Sequence, residues 1–170
     1  MSFDISFIGV VIASIMASSV PLILAASGEL ITERSGVLNL GVEGMMIIGA
    51  ISGFALMIIT DNLFIAIIGS MFAGIIISII FGFLTQTLLT NHVAPGLALT
   101  IFGIGMSAML GKNFVGIPGK EFPVFFDNLS ESIPFFGPIL FGNYLVFYFA
   151  FILPFLTNYF LKKTKIGLMV

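Results

Sequence analysis

Long apolar runs dominate this sequence and limit the folds open to it. Five of them approach or exceed the roughly 20 residues that cross the hydrocarbon core of a bilayer. The predicted spans are Ile5–Ala26, Gly36–Ile59, Leu63–Leu84, Val93–Leu110 and Tyr144–Leu161. A continuous apolar run in a bilayer must satisfy its own backbone hydrogen bonds, and the α-helix does this within one segment. The sequence therefore predicts an all-α, polytopic helical bundle that forms one membrane domain over residues 1–170.

The composition supports a membrane protein and narrows the classes of function. Hydrophobic residues make up 59% of the chain and charged residues 8%, which is too apolar for a soluble domain. The chain has no cysteine, so disulfides, thiolate catalysis and cysteine metal sites are excluded. The net charge is −2 and no basic cluster precedes the last nine residues, which argues against nucleic acid as a partner.

A polar stretch, Thr32–Met46, interrupts the apolar runs and reads TERSGVLNLGVEGMM. It places four polar side chains among three glycines: Glu33, Arg34, Asn39 and Glu43, with Gly36, Gly41 and Gly44. A charged group at bilayer depth is costly, so one that is retained there has a partner or a task. Glycines allow a helix to break or another backbone to approach closely. The stretch predicts an ion- or solute-facing element with a helix broken near Gly36–Gly44.

The orientation follows from the lysines at the end of the chain. Lys162, Lys163 and Lys165 come directly after the fifth span and mark the cytoplasmic side. Counting back over five spans places Lys112–Asn143 outside, together with Asp61. That segment is too polar to span and is rich in phenylalanine and proline, so we expect an external loop on the membrane surface.

Four segments resemble the permease subunits of ABC importers, in the branch for simple sugars and nucleosides. They are TERSGVLNLGVEGMM, NHVAPGLALTIFGIGMSAMLG, SESIPFFGPILFGN and the closing KKTKIGLMV, and they extend over nearly the whole chain. The strongest similarity is to nucleoside-type permeases served by a lipoprotein binding protein. Two residues depart from the family pattern: His92 stands where glutamine is usual, and Pro95 where a small hydroxylated residue is usual.

The resemblance implies a plasma-membrane transport component rather than an enzyme, with no cofactor and no metal of its own. Its implied partners are an ATP-binding subunit, a second permease subunit in a homo- or heterodimer, a periplasmic or lipoprotein solute-binding protein, and membrane lipid. It also implies that the chain is the N-terminal half of a permease, ending before the loop that contacts the ATPase. Lys162, Lys163 and Lys165 would then lie near that contact, and Lys120, Glu121 and Asp127 would dock the binding protein.

The substrate pathway is assigned to Asn39, Gly41, Glu43 and Gly44. Glu43 would face the pathway or hold the helix break; its alternative role is to pair with Arg34 near an interface. Asn39 could bind ribose hydroxyls or base edges through its amide, or it could bond a backbone carbonyl freed by the break. For the two glycines the alternative to pathway contact is helix packing.

Several other polar residues have simpler expected roles. Glu29, Glu33 and Arg34 are expected in a solvated cytoplasmic turn, and His92 is expected to cap a helix rather than bind a metal. No GxxxxGK[ST] motif occurs, so ATP hydrolysis requires a separate subunit. Two rival functions stay open: an ion-coupled secondary transporter that uses Glu43, and a membrane scaffold in which the glycines serve only packing.

Overall fold

The computed structural model describes residues 5–120, 122–123, 139, 141–165 and 167–169. These residues form five long helices: α1 (Ile5–Arg34), α2 (Val42–Thr60), α3 (Leu63–Gly82), α4 (Val93–Gly111) and α5 (Leu145–Lys163). All five are long and apolar enough to cross a membrane. The described part contains no strand. The predicted all-α polytopic bundle is confirmed.

The first helix is longer than the sequence indicated. It continues to Arg34 instead of ending near Ala26, so Glu29 and Glu33 lie on its last turns and not in a solvated turn. Nothing between Ala26 and Arg34 breaks a helix strongly, and Arg34 as the last residue places a cation at the negative end of the helix dipole. The non-helical break predicted near Gly36–Gly44 lies at residues 35–41, between α1 and α2.

The third helix also runs past its expected end, as a π-helical turn at Phe83–Thr87. Thr85 follows the predicted end of the third span at Leu84. It is buried, and its hydroxyl donates to the Phe81 carbonyl at 2.9 Å. That bond inside the turn lets a polar side chain stay in apolar surroundings. The connection to α4 then includes Leu89 in a left-handed conformation (φ 50°).

The chain packs as two compact units. The central unit is Thr32–Glu121, and the terminal unit joins Met1–Ile31 to Phe122–Val170. In the central unit, Asp61 and Asn62 alone connect α2 to α3. The Asn62 side chain accepts hydrogen bonds from the first N–H groups of α3, including that of Phe64 at 2.9 Å, and so caps the helix.

Small residues and one apolar cluster hold the central unit together. Ser70 of α3 faces Gly49 and Gly53 of α2, and these small residues let the two helices pack closely. The cluster of buried residues joins α2, α3 and α4 and includes Ile48, Ile77, Phe81 and Leu99.

In the terminal unit α1 packs against α5 through Val20, Phe147 and Ala150. Each helix carries an internal proline, Pro21 and Pro154. Pro21 has no N–H, so the carbonyl of Ala17 lacks its usual donor within the helix. The Tyr144 hydroxyl lies 3.5 Å from that carbonyl and supplies the missing donor.

Candidate functional site

The segment between α1 and α2 begins with a helix stop built on Gly36. This residue has a left-handed backbone (φ 85°), which glycine adopts without strain. The Gly36 N–H donates to the Glu33 carbonyl at 3.0 Å, and the Val37 N–H donates to the Thr32 carbonyl at 3.0 Å. This pair of bonds is a Schellman motif, which satisfies the last carbonyls of α1. Gly36 therefore sets where the polar stretch leaves the helix.

Asn39 is the buried polar residue of this segment, with 8% of its surface exposed. Its Oδ1 accepts a hydrogen bond from the Gly41 N–H at 3.0 Å, and its Nδ2 lies 3.7 Å from the Met45 sulfur. The side chain therefore folds over the start of α2 and stabilises the turn there. This resembles the alternative role that the sequence left open, although the group it bonds is a backbone N–H.

Two glycines of the polar stretch are buried against α4. A Cβ added to Gly41 would lie 3.2 Å from the Gly96 carbonyl oxygen. One added to Gly44 would overlap the Leu99 carbonyl oxygen and lie 2.8 Å from the Thr100 Cα. The residues of α4 that meet α2 have higher residue numbers as the residue number along α2 increases. The two helices therefore run parallel, with their backbones in contact. The geometry at Gly41 and Gly44 is that of helix packing.

Thr100 of α4 belongs to the site, and the sequence reasoning missed it. Its hydroxyl donates to the Leu40 carbonyl at 3.0 Å and to the Gly96 carbonyl, in its own helix, at 3.2 Å. The small residues of α4 carry the signal that would have found it. Gly96, Thr100, Gly103 and Ser107 recur at spacings of four, three and four residues, which places them along one helix face.

Glu43 is the second residue of α2 and its side chain is exposed. With 19 residues, α2 is about 28 Å long, close to the roughly 30 Å of a hydrocarbon core. Glu43 therefore lies at one end of the span, where the helix dipole favours a negative charge. Both Glu43 and Arg34 are described, and no ion pair joins them.

The opposite end of the central unit carries Lys120. After α4 and a 3-10 turn, the chain returns over the end of α2, where a Cβ on Gly119 would lie 3.1 Å from the Phe54 ring. The Lys120 ammonium lies 2.6 Å from the Asp61 carboxylate, with both side chains at least half exposed. Asp61 and the segment that begins at Lys112, both predicted to lie outside the membrane, therefore meet at the same end of the central unit. Glu121 and Asp127, the other predicted docking residues, lie outside the described part of the chain.

The lysine cluster follows α5 as expected. Lys162 and Lys163 are its last residues, and both are exposed together with Lys165. The Thr164 hydroxyl donates to the Phe160 carbonyl at 2.7 Å and accepts from the Gly167 N–H at 3.0 Å, which forms a compact turn. The cations lie at the negative end of the helix dipole.

His92 precedes α4 but does not cap it. The Asn91 side chain accepts the Val93 N–H at 3.1 Å, whereas the His92 side chain makes no capping bond. Pro95 is the third residue of α4, where its missing N–H costs least. Among the described residues, no group of three or more His, Asp or Glu side chains could hold a metal ion.

Within the described residues, five membrane-length helices define a multi-pass membrane protein. The model of one family, described as branched-chain amino acid transport system / permease component, matches residues 11–170. The chain belongs to this family of ABC permeases and is a multi-pass protein of the plasma membrane. Such a permease works with ATP-binding and solute-binding partners. Searches of curated proteins and of solved structures returned no match.

Proposed function

We propose that this chain is the permease component of an ABC importer for nucleosides or a related small polar solute such as a simple sugar. The observation that carries the proposal is the polar stretch Thr32–Met46, which resembles nucleoside-type permeases, in a chain whose family is that of ABC permeases. The family description names branched-chain amino acids, which makes them the competing class of solute.

The absence of basic residues from α2, α3 and α4 favours a neutral solute. Residues 35–111, which include α2, α3 and α4, contain no lysine or arginine. An amino acid brings a carboxylate, and a charge taken out of water without a partner is costly. A nucleoside or sugar needs hydrogen-bonding groups instead, of the kind that Asn39 and Glu43 provide at the start of α2.

In this proposal a solute-binding protein docks outside the membrane on Lys112–Asn143, with Lys120, Glu121 and Asp127 as contacts. ATP-driven closure of the ATP-binding subunits, transmitted near Lys162, Lys163 and Lys165, then rocks the helices between outward and inward openings. The solute passes the segment from Asn39 to Gly44, where Gly41 and Gly44 let α2 move closely against α4. A second permease subunit completes the pathway.

The test is uptake by the assembled transporter in proteoliposomes, with its ATP-binding and solute-binding partners. ATP-dependent uptake of a labelled nucleoside or sugar, competed by its own class and not by leucine, supports the proposal. Vesicles without ATP are the control. Uptake that only leucine, isoleucine and valine compete with would instead indicate an amino acid transporter.

A further inference from the structure

One hydroxyl of α4 holds the backbone that leads into α2. Thr100 Oγ1 donates to the Leu40 carbonyl at 3.0 Å, across 60 residues of sequence. Leu40 comes directly before Gly41, the residue that caps α2. The bond therefore fixes the chain at the point where it changes from an irregular segment to a helix.

Close backbone contact at Gly96 brings the Thr100 hydroxyl within hydrogen-bonding distance of the Leu40 carbonyl. A Cβ added to Gly96 would lie 3.0 Å from the Gly41 nitrogen and 3.0 Å from the Leu40 Cβ. A larger residue at Gly96 would therefore push the segment away from α4. The glycine sets the distance, and the Thr100 hydroxyl one turn further along fixes the position.

The hydroxyl also has a second acceptor, because the Gly96 carbonyl lies 3.2 Å from the same oxygen. Threonine and serine commonly bond the carbonyl four residues back in a helix. When Leu40 moves away, Thr100 keeps this acceptor, and only the Leu40 carbonyl loses its partner. The contact can therefore open and reform without leaving a hydroxyl unsatisfied.

We propose that Thr100 is a positioning residue for solute recognition. It holds Leu40, and through Leu40 it fixes Asn39 on one side and Glu43 on the other, while making no solute contact itself. The inference rests on the proposed function, in which these two residues line the solute pathway.

The first measurement is uptake kinetics in the assembled transporter with Thr100→Val and Thr100→Ser. Valine has nearly the shape of threonine but no hydroxyl, whereas serine keeps the donor. We expect Thr100→Val to raise the KM for solute about five-fold with little change in maximal rate, the factor that corresponds to one net hydrogen bond of about 1 kcal/mol. Thr100→Ser should restore a KM near that of the wild type.

The second measurement does not depend on transport. The chain has no native cysteine, so one cysteine at Val37, which packs partly buried against the core of the central unit, reports on the segment alone. Maleimide labelling of this cysteine should be faster with Thr100→Val than with Thr100→Ser or with Thr100 intact. A cysteine at the exposed Val115 is the matched control and should label equally in all three.

Faster labelling together with a raised KM supports the inference. Equal labelling in the three proteins would overturn it, since the hydroxyl would then not hold the segment. Faster labelling with an unchanged KM would also overturn it, because Thr100 would then serve stability alone. If the wild-type transporter takes up no nucleoside or sugar, the proposed solute fails, and KM is measured with the solute that it does carry.

Discussion

Gly44 of α2 and Gly103 of α4 meet backbone to backbone. A Cβ added to Gly103 would lie 2.7 Å from both the Cα and the carbonyl oxygen of Gly44. Side chains cannot move aside here, because both partners are main chain. The crossing of these two helices therefore tolerates no larger residue at either position.

Gly103→Ala should consequently destabilise the protein by roughly 1–3 kcal/mol, the usual cost of overpacking a tight contact. Gly105→Ala is the matched control on the same helix, because an added Cβ there has nothing within 4 Å. The midpoint of thermal unfolding of the detergent-solubilised protein measures the stability of both variants. An equal midpoint for the two variants would contradict the tight crossing.

Topology can be tested with single cysteines placed in the segments predicted to lie on the two sides of the membrane. A cysteine at Val115 or at Asn128 should react with an impermeant reagent added outside, because both lie in the predicted external loop Lys112–Asn143. A cysteine at Leu168, after the lysine cluster, should react only in inverted vesicles or permeabilised cells. Outside labelling at Leu168 would reverse the orientation.

Substitutions in the Lys120–Asp61 pair can show whether Lys120 contacts the solute-binding protein or serves only the stability of the permease. Both side chains are at least half exposed, so breaking the pair should change stability by less than about 1 kcal/mol. Lys120→Gln should weaken binding of the solute-binding protein if Lys120 is a docking contact, whereas Asp61→Asn keeps the lysine charge and serves as control. Affinity of the purified binding protein for the permease is the measurement. Equal affinity for both variants and the wild type would remove Lys120 from the docking surface.

Glu43 distinguishes transport driven by ATP from transport driven by an ion gradient. Glu43→Gln keeps the shape and most of the hydrogen-bonding capacity but removes the charge. In an ABC importer it should lower or retune uptake while ATP remains necessary. Vesicles receive either internal ATP or an imposed proton or sodium gradient. Uptake driven by the gradient alone, and lost in Glu43→Gln, would instead indicate an ion-coupled carrier.

Glu43→Ala should reduce uptake further than Glu43→Gln. Alanine removes both the charge and the hydrogen-bonding capacity of Glu43, whereas glutamine removes the charge alone. An alanine variant with the uptake of the glutamine variant would show that only the charge of Glu43 matters.

Hydropathy alone predicted α3 and α4 closely, whereas α2 begins at Val42 and not at the predicted Gly36. The fourth span was expected at Val93–Leu110 and the helix is Val93–Gly111, because the apolar run between the polar residues His92 and Lys112 defines it. The end of α1 was predicted less well. The charges after Ala26 suggested an exit from the helix, but glutamate and arginine are good helix formers, and the helix stops only at Gly36.

The sequence indicated which glycines matter but not which residues they meet. Gly44 with Gly103, and Thr100 with Leu40, are contacts between distant parts of the chain, and the relative rotation of two helices decides them. The Lys120–Asp61 pair depends in the same way on the chain folding back over α2. The roles of Asn39, Glu43 and the terminal lysines in transport stay predictions, because they concern a solute and partner subunits.

The two-residue connection between α2 and α3 has a consequence for how the protein is made. So short a link favours entry of both helices into the membrane as one hairpin. Thr100 is synthesised 60 residues after Leu40. At about 5–20 residues per second, that delay is about 3–12 s. During those seconds Leu40 and the glycine face of α2 have no contact with α4, which has not yet been made. Lipid, water or the insertion machinery must therefore contact them until the fourth helix is inserted.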